Sequence, residues 1–391
     1  MSARQDDGQA KCSSSVATKE LAVPKQGDYD RYMRRRPKNP EDDEEATPRS
    51  IYDPDPVEEE DLWFLPQPPE DVAPGEMPWP VAAREAGLDG RTWQAAETAQ
   101  YRVLVAAAEA VARYGERLRH AAPGVSERLA LMTVSALLRA EGIWLGPDQI
   151  ALYRAFRLGS DDMARDLSRA DWAVRRLLTG PLPQDDMRAF LGRVSVSEPH
   201  RDEERPTGPE LDLAGQDWAG SLLETCHLLT RAAQGFAAWR RLALTSYDQM
   251  LEPSVAALLL GAGDEAPYLP MAEGHRFDRH QVAQGSDAST ARLATFLNAI
   301  EAGALRAAME LDRLSAWRNR AIDLTAGLSG RTPPLLIAAL LRYPVLSAEL
   351  AAEAIGCSRP SARRNLTLFH EMGLIREVTG QERYRFWAAL V

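Results

Sequence analysis

From Thr92 to Arg119, and again from Leu293 to Trp317, the apolar side chains recur at offsets of three and four residues, the spacing of one face of an α-helix. The first run predicts a long, alanine-rich helix from Thr92 to Arg119. Capping and helix-breaking residues predict three further helices, over Ser126 to Gly142, from Pro147 onwards, and over Ser160 to Gly180. Because such short connections favour an antiparallel bundle, residues 91–194 are predicted to be an N-terminal helical subdomain.

Residues 195–217 are rich in proline and charge, which predicts a linker. Residues 218–330 are then predicted to be a second helical subdomain. Its helices are expected over Trp218 to Tyr247, over Pro253 to Leu260, and along a second long run towards Leu328. Gly330 to Pro333 predicts a hinge. Since strand-like alternation is weak before residue 330, the body is predicted to be all-α.

Residues 331–391 follow a different pattern. Two serines, Ser347 and Ser358, can cap two short helices, and two glycines, Gly356 and Gly373, can end them. The helices flank a tight turn, as in a helix-turn-helix. Two runs of branched and aromatic residues, 374–378 and 383–387, predict a hairpin after the second helix. The predicted fold is therefore mainly α, an all-α helical body followed by a C-terminal winged helix-turn-helix.

The second of these helices has one apolar face, made by Ala362, Leu366 and Phe369, which should pack in the core. Its other side chains are polar or basic and lie at the end of the helix that would enter a major groove. The predicted DNA-binding residues of this helix are Ser358, Arg359, Ser361, Arg363, Arg364, Asn365 and Thr367. In the hairpin, Arg383 and Arg385 alternate with aromatic residues, so one sheet face should offer cations to flanking phosphates.

Charge supports this interpretation modestly. Residues 331–391 contain eight Arg and five Glu, a net charge of +3, whereas the whole chain carries −11. A basic module on an acidic chain is what phosphate binding needs. The alternative is a domain used for packing, dimerisation or protein contact, whose arginines only form a solvent-exposed face.

Residues 1–90 are predicted to be a disordered acidic tail, rich in proline. Within it, Leu62, Trp63, Phe64 and Leu65 form an apolar segment that is predicted to dock on the chain's own helical body, unless it is a chance apolar island. The acidic runs beside it are also candidates to shield the arginines of the last domain.

Other chemistry is scarce in the sequence. There is no GxxxxGK[ST] and no GxGxxG after a strand, and the three cysteines have neither disulfide nor zinc spacing. His275, Asp278 and His280 are the densest titratable cluster, but loop histidines are usually just solvated. No catalytic, cofactor-binding or metal-binding residue is therefore predicted. No apolar run reaches the ~20 residues of a membrane span, and a reducing, cytoplasmic setting is expected.

Short motifs in the last domain resemble a bacterial, often plasmid-borne family in which an all-α domain of unknown function precedes a C-terminal helix-turn-helix. They include Ile355-Gly-Cys-Ser358, Ala362-Arg-Arg-Asn-Leu366 and Gly373-Leu-Ile-Arg-Glu-Val-Thr-Gly380. The resemblance spans roughly Tyr101 to Leu390. The layout is more distantly similar to Fic proteins that end in a winged helix, and Glu141 before Gly142 echoes their inhibitory helix. The Fic loop His-Pro-Phe-x-x-Gly-Asn-Gly-Arg has no counterpart, so this resemblance implies lost or altered chemistry.

The function expected from the sequence is a non-enzymatic DNA-binding protein of transcription-regulator type, with double-stranded DNA as partner, a homodimer as a possible form and no membrane. The alternatives are a catalytically degenerate or altered Fic-like protein and a protein-interaction module that uses the winged helix.

Overall fold

A computed structural model describes residues 90–192, 206–246, 249–264, 266–272, 286–380 and 385–391, all within one compact unit. Several predictions lie outside these described residues. They concern the tail with Leu62, Trp63, Phe64 and Leu65, the cluster of His275, Asp278 and His280, and Arg383.

The described chain forms thirteen α-helices, one 3₁₀ turn (Asp161–Met163) and one small antiparallel sheet. The helices are α1 (Gly90–Ala99), α2 (Tyr101–Arg119), α3 (Val125–Ala140), α4 (Pro147–Phe156), α5 (Ala164–Leu178), α6 (Met187–Leu191), α7 (Gly208–Gly220), α8 (Leu228–Arg241), α9 (Leu251–Leu260), α10 (Ser286–Thr325), α11 (Thr332–Arg342), α12 (Ala348–Ile355) and α13 (Arg359–Glu371). The strands are β1 (Leu346–Ser347), β2 (Ile375–Glu377) and β3 (Phe386–Ala389). The predicted mainly α fold is confirmed.

The longest helix, α10, joins two hydrophobic cores. Its first half, including Leu293 and Phe296, packs in the core of the body, where Trp218 and Trp239 are fully buried. Its second half, from Ala304 to Ala321, packs in a second core with α11 and the C-terminal module. Because one continuous helix contributes to both cores, burial of its apolar side chains stabilises body and module together.

The prediction of a single helix from Trp218 to Tyr247 is wrong, because the helix is interrupted by a loop between Gly220 and Leu228. Gln234 stabilises the break, since its side-chain oxygen accepts a hydrogen bond from the Leu223 amide at 3.0 Å. His227 then caps α8, accepting the Leu229 amide at Nδ1 at 3.1 Å. These bonds satisfy backbone groups that a continuous helix would otherwise bond internally.

Helix α7 (Gly208–Gly220) occupies the second half of the stretch expected as a linker. Pro209 lies in its first turn, where a missing N–H costs nothing, and Leu211 and Trp218 bury its apolar face. The proline that favoured a linker therefore marks the start of a helix.

Two body residues hold the end of α11, the first helix of the C-terminal module. The half-buried side chain of Arg128 donates to the carbonyls of Leu340 at 2.6 Å and Tyr343 at 3.0 Å. Burial lowers the pKa of Arg128 to about 10, so the side chain stays protonated at neutral pH. Gly124 lies against the same helix end with φ of +87°, where a Cβ atom would overlap with the carbonyl oxygen of Arg342.

Contacts beyond the predicted hinge also attach the module to the body. Trp317 of α10 donates its indole N–H to the carbonyl of Leu374 at 2.8 Å. The ring of Phe386 in β3 lies 4.6 Å from that of Phe156 in α4, measured between ring centroids. The connection between α10 and α11 is residues 326–331, so Thr332 and Pro333 of the predicted hinge already lie in α11, and the module is fixed by tertiary contacts.

Candidate nucleic-acid interface

The turn between α12 and α13 is built by the capping residues that the sequence predicts. Ser347 accepts a hydrogen bond at Oγ from the Leu350 amide at 3.1 Å, and Gly356 ends α12 in the left-handed region at φ 64°. Ser358 accepts from the Ser361 amide at 3.4 Å and so begins α13, with Pro360 in the first turn. Because the caps satisfy the free backbone groups of both helix ends, the three-residue turn is fixed locally.

Helix α13 divides into a buried and an exposed face. Ala362, Leu366 and Phe369 are fully buried, as predicted, in the second core. Arg363, Arg364 and Thr367 are exposed on the other side. The helix therefore presents a basic and polar surface to solvent while its apolar face anchors it.

The exposed arginines of α13 are not equivalent. Among the described residues, Arg363 and Arg364 have no hydrogen-bond or ion-pair partner. Arg359, by contrast, forms an ion pair with Glu349 of α12. The charge of α13 that is free for a ligand is therefore centred on Arg363 and Arg364.

The smaller polar residues of the predicted set serve partly to build the helix. Ser361 and Asn365 are half-buried, and the Asn365 amide donates to the carbonyl of Ser361 at 2.9 Å. The hydroxyl of Ser358 is used as the cap. Thr367 remains on the exposed face beside Arg363, one helical turn away.

A protein-family model described as "HTH DNA binding domain" matches residues 333–390. The chain ends in a helix-turn-helix DNA-binding domain. The match spans α11 to β3, so it includes the turn, the exposed face of α13 and the sheet. No curated protein matches the chain.

The two strands predicted after the second helix of the helix-turn-helix domain do pair antiparallel, as β2 and β3, and a third strand, β1, joins them. The strand order is β1-β3-β2, with Leu346 opposite Trp387 and Ile375 opposite Ala389. Strand β1 was not predicted, because two residues are too few to show the alternation of apolar and polar side chains that marks a strand. Strand β3 begins at Phe386, later than the predicted run from residue 383, and all four of its residues are buried, whereas Arg385 just before it is exposed. The physical reason is that the sheet lies between two cores, with Phe386 in one and Trp387 in the other.

Of the two hairpin arginines, Arg385 lies just before β3 and is exposed. Its Nε lies 3.8 Å from Oε2 of Glu377 on β2, so its charge is partly balanced. Arg376 on β2 pairs instead with Asp148 of α4 and fastens the sheet to the body. Sequence reasoning missed this pair because its members are 228 residues apart and carry no shared motif.

Glu141, the residue that echoes the Fic inhibitory helix, has a different set of partners. One carboxylate oxygen accepts the amides of Met250 and Leu251 at 2.6 and 2.7 Å, and the other accepts from Arg169 at 2.8 Å. The side chain therefore caps α9 and balances an arginine. With all of these bonds in place it is part of the framework of the body.

Cys226 and His227, neighbours in the loop before α8, do not form an activated thiolate pair. His227 uses Nδ1 to cap α8. Burial raises the pKa of the Cys226 thiol, which disfavours the thiolate.

Among the described residues, no three His, Cys, Asp or Glu side chains are grouped so as to hold a metal ion. Of the described helices, none has both the length and the hydrophobicity needed to cross a membrane.

Proposed function

We propose that the protein is a non-enzymatic, cytoplasmic regulator of transcription that binds double-stranded DNA through a winged helix-turn-helix. The observation that carries the proposal is the pair Arg363 and Arg364, exposed on α13 and without a partner among the described residues. In a major groove an arginine can donate two hydrogen bonds to guanine, and the same group can pair with a phosphate. Helix α13 therefore serves as the recognition helix.

The number of arginines that are free to pair with phosphate sets the expected strength of this binding. Arg359 and Arg385 face Glu349 and Glu377, and Arg376 is paired with Asp148. Of the arginines predicted to contact DNA, only Arg363 and Arg364 are unpaired among the described residues. We therefore expect the domain to neutralise only a few phosphates. Each phosphate contact contributes a slope of about −0.9 to the dependence of log affinity on log salt. We therefore expect modest affinity and a shallow salt dependence.

The test replaces both arginines in Arg363→Ala/Arg364→Ala and measures fluorescence anisotropy on a mixed-sequence duplex at several salt concentrations. We expect affinity to fall by about tenfold or more, and the salt slope to shrink by about one to two. The matched control is Arg102→Ala/Arg113→Ala, which removes the same charge from the exposed surface of α2. Identical affinity and slope for both variants would refute the assignment.

A homodimer is part of the proposal, because two unpaired arginines on the recognition helix are few for a specific site. Two copies of α13 would then read half-sites about 34 Å apart, one turn of the duplex. Sedimentation of the protein with a short duplex should give two chains per DNA. A complex with one chain per duplex and undiminished affinity would contradict the dimer.

A second candidate function is protein binding by the same domain, favoured by the acidic partners of Arg359 and Arg385. Loss of DNA binding in Arg363→Ala/Arg364→Ala would argue against protein binding as the function. Binding of a protein partner that needs no DNA and persists in this variant would argue for it. An altered Fic-like activity is the third possibility. The bonds of Glu141 support the non-enzymatic proposal, and a labelled-nucleotide transfer assay that gives product would overturn it.

A further inference from the structure

A groove runs between the body and the helix-turn-helix domain. It is lined by the end of α2, the second half of α10, α11 and the end of α12, and encloses about 890 Å³. Its floor is apolar and includes the buried side chains of Val125, Leu311, Leu314, Ile337 and Leu341. Small-molecule sites have volumes of about 300–1,000 Å³ and mostly apolar walls with a few polar groups. The groove has the size and surface of such a site.

The acidic side chains at the groove already have cationic partners. Asp312 lies 3.3 Å from Arg117, measured from carboxylate oxygen to Nε. Glu116 pairs with Arg119 at 2.6 Å and His120 at 3.1 Å. The carboxylates of the groove wall are therefore balanced from within the protein.

Two arginines of the groove have no such balance. Among the described residues, Arg318 of α10 and Arg342 of α11 form no ion pair, and both are exposed. The guanidinium of Arg342 lies over the ring of Tyr343, 5.4 Å from its centroid, which leaves its charge uncompensated. The groove thus combines an apolar floor with an excess of positive charge.

We propose that this groove binds a small amphipathic carboxylate. Its apolar chain would lie on the floor beside the half-exposed Leu335 and Ile322, and its carboxylate would pair with Arg318 and Arg342. Guanidinium and carboxylate form charge-assisted hydrogen bonds, often bidentate, which a neutral or cationic ligand of equal length cannot form. Charge complementarity is what selects the carboxylate among apolar ligands.

The groove is positioned to affect DNA binding. Ile355, the last residue of α12, lines it, and the turn of the DNA-binding domain begins at the next residue. Occupancy would bias how α12 and α13 sit on the body. This coupling rests on the proposed function, whereas ligand binding does not, so the two can fail separately.

The test is isothermal titration calorimetry of the full chain with sodium decanoate, compared with decylamine and hexanoate. We expect decanoate to bind, hexanoate to bind more weakly because it buries less apolar surface, and decylamine to bind least. The variant Arg318→Gln/Arg342→Gln should weaken decanoate binding by about tenfold or more, since two charge-assisted bonds are lost. Leu335→Glu changes an exposed side chain and should weaken it by repulsion of the carboxylate.

The control is Arg363→Ala/Arg364→Ala, which should bind decanoate as the wild type does. Conversely, Arg318→Gln/Arg342→Gln should bind duplex DNA normally in the absence of decanoate. Absence of decanoate binding, equal affinity for decylamine, or unchanged affinity in Arg318→Gln/Arg342→Gln would overturn the proposal. A change in oligomeric state caused by Leu335→Glu, with no decanoate binding by the wild type, would identify the groove as a protein interface instead.

Discussion

Gly124 offers the sharpest test of how the body supports the DNA-binding domain. It combines a backbone angle of φ +87° with a close approach to the end of α11, where an added Cβ would overlap with the carbonyl oxygen of Arg342. Gly142 has nearly the same angle, φ +88°, but no atom within 4 Å of a Cβ. The two glycines therefore share the left-handed backbone, and only Gly124 has the close contact.

The magnitudes follow from this difference. A left-handed backbone costs a non-glycine residue about 1–2 kcal/mol, which we expect for Gly142→Ala. Gly124→Ala adds overpacking against backbone, which costs about 1–3 kcal/mol more. The effect of alanine on the unfolded chain, about 0.4–1 kcal/mol, is common to both variants and cancels in the comparison.

Urea denaturation followed by tryptophan fluorescence measures both free energies of unfolding. Gly263→Ala serves as a further control, because its backbone is not left-handed and no atom lies within 4 Å of its Cβ. Equal destabilisation of Gly124→Ala and Gly142→Ala, within about 0.5 kcal/mol, would refute the claim that α11 packs tightly against the loop before α3.

Two further predictions concern charge. Glu349→Gln removes the ion pair of Arg359 and should raise DNA affinity a few-fold with a steeper salt dependence; unchanged anisotropy titrations would show that Arg359 does not contact DNA. Glu141→Ala leaves the first amides of α9 without their acceptor and Arg169 with only Asp166 as a partner, and it should lower the free energy of unfolding by about 3 kcal/mol, with Glu141→Gln recovering part of it. A urea midpoint like that of the wild type would contradict this.

Most of the arginines predicted to contact DNA already have an acidic partner or lie outside the described residues. Five were predicted to contact DNA, and of these only Arg363 and Arg364 are exposed and unpaired among the described residues. Arg359 and Arg385 face glutamates, and Arg383 lies outside the described residues. If the proposed function holds, we expect specificity to require a second copy or release of Arg359 from Glu349.

The sequence by itself determined the local structure of the helix-turn-helix. Ser347, Gly356 and Ser358 act through hydrogen bonds and backbone angles within a few residues, so their roles can be read from neighbours in the chain. The apolar face of α13 was likewise predictable, because Ala362, Leu366 and Phe369 share one side of any helix.

Only the tertiary structure decided which charges are free and how the domain is held. The ion pair of Arg376 with Asp148 and the bond of Arg128 to Leu340 each join residues more than 200 positions apart. The groove with Arg318 and Arg342 exists because α10 and α11 meet the end of α2. Such contacts arise from packing of distant helices, and no periodicity or cap in the sequence records them.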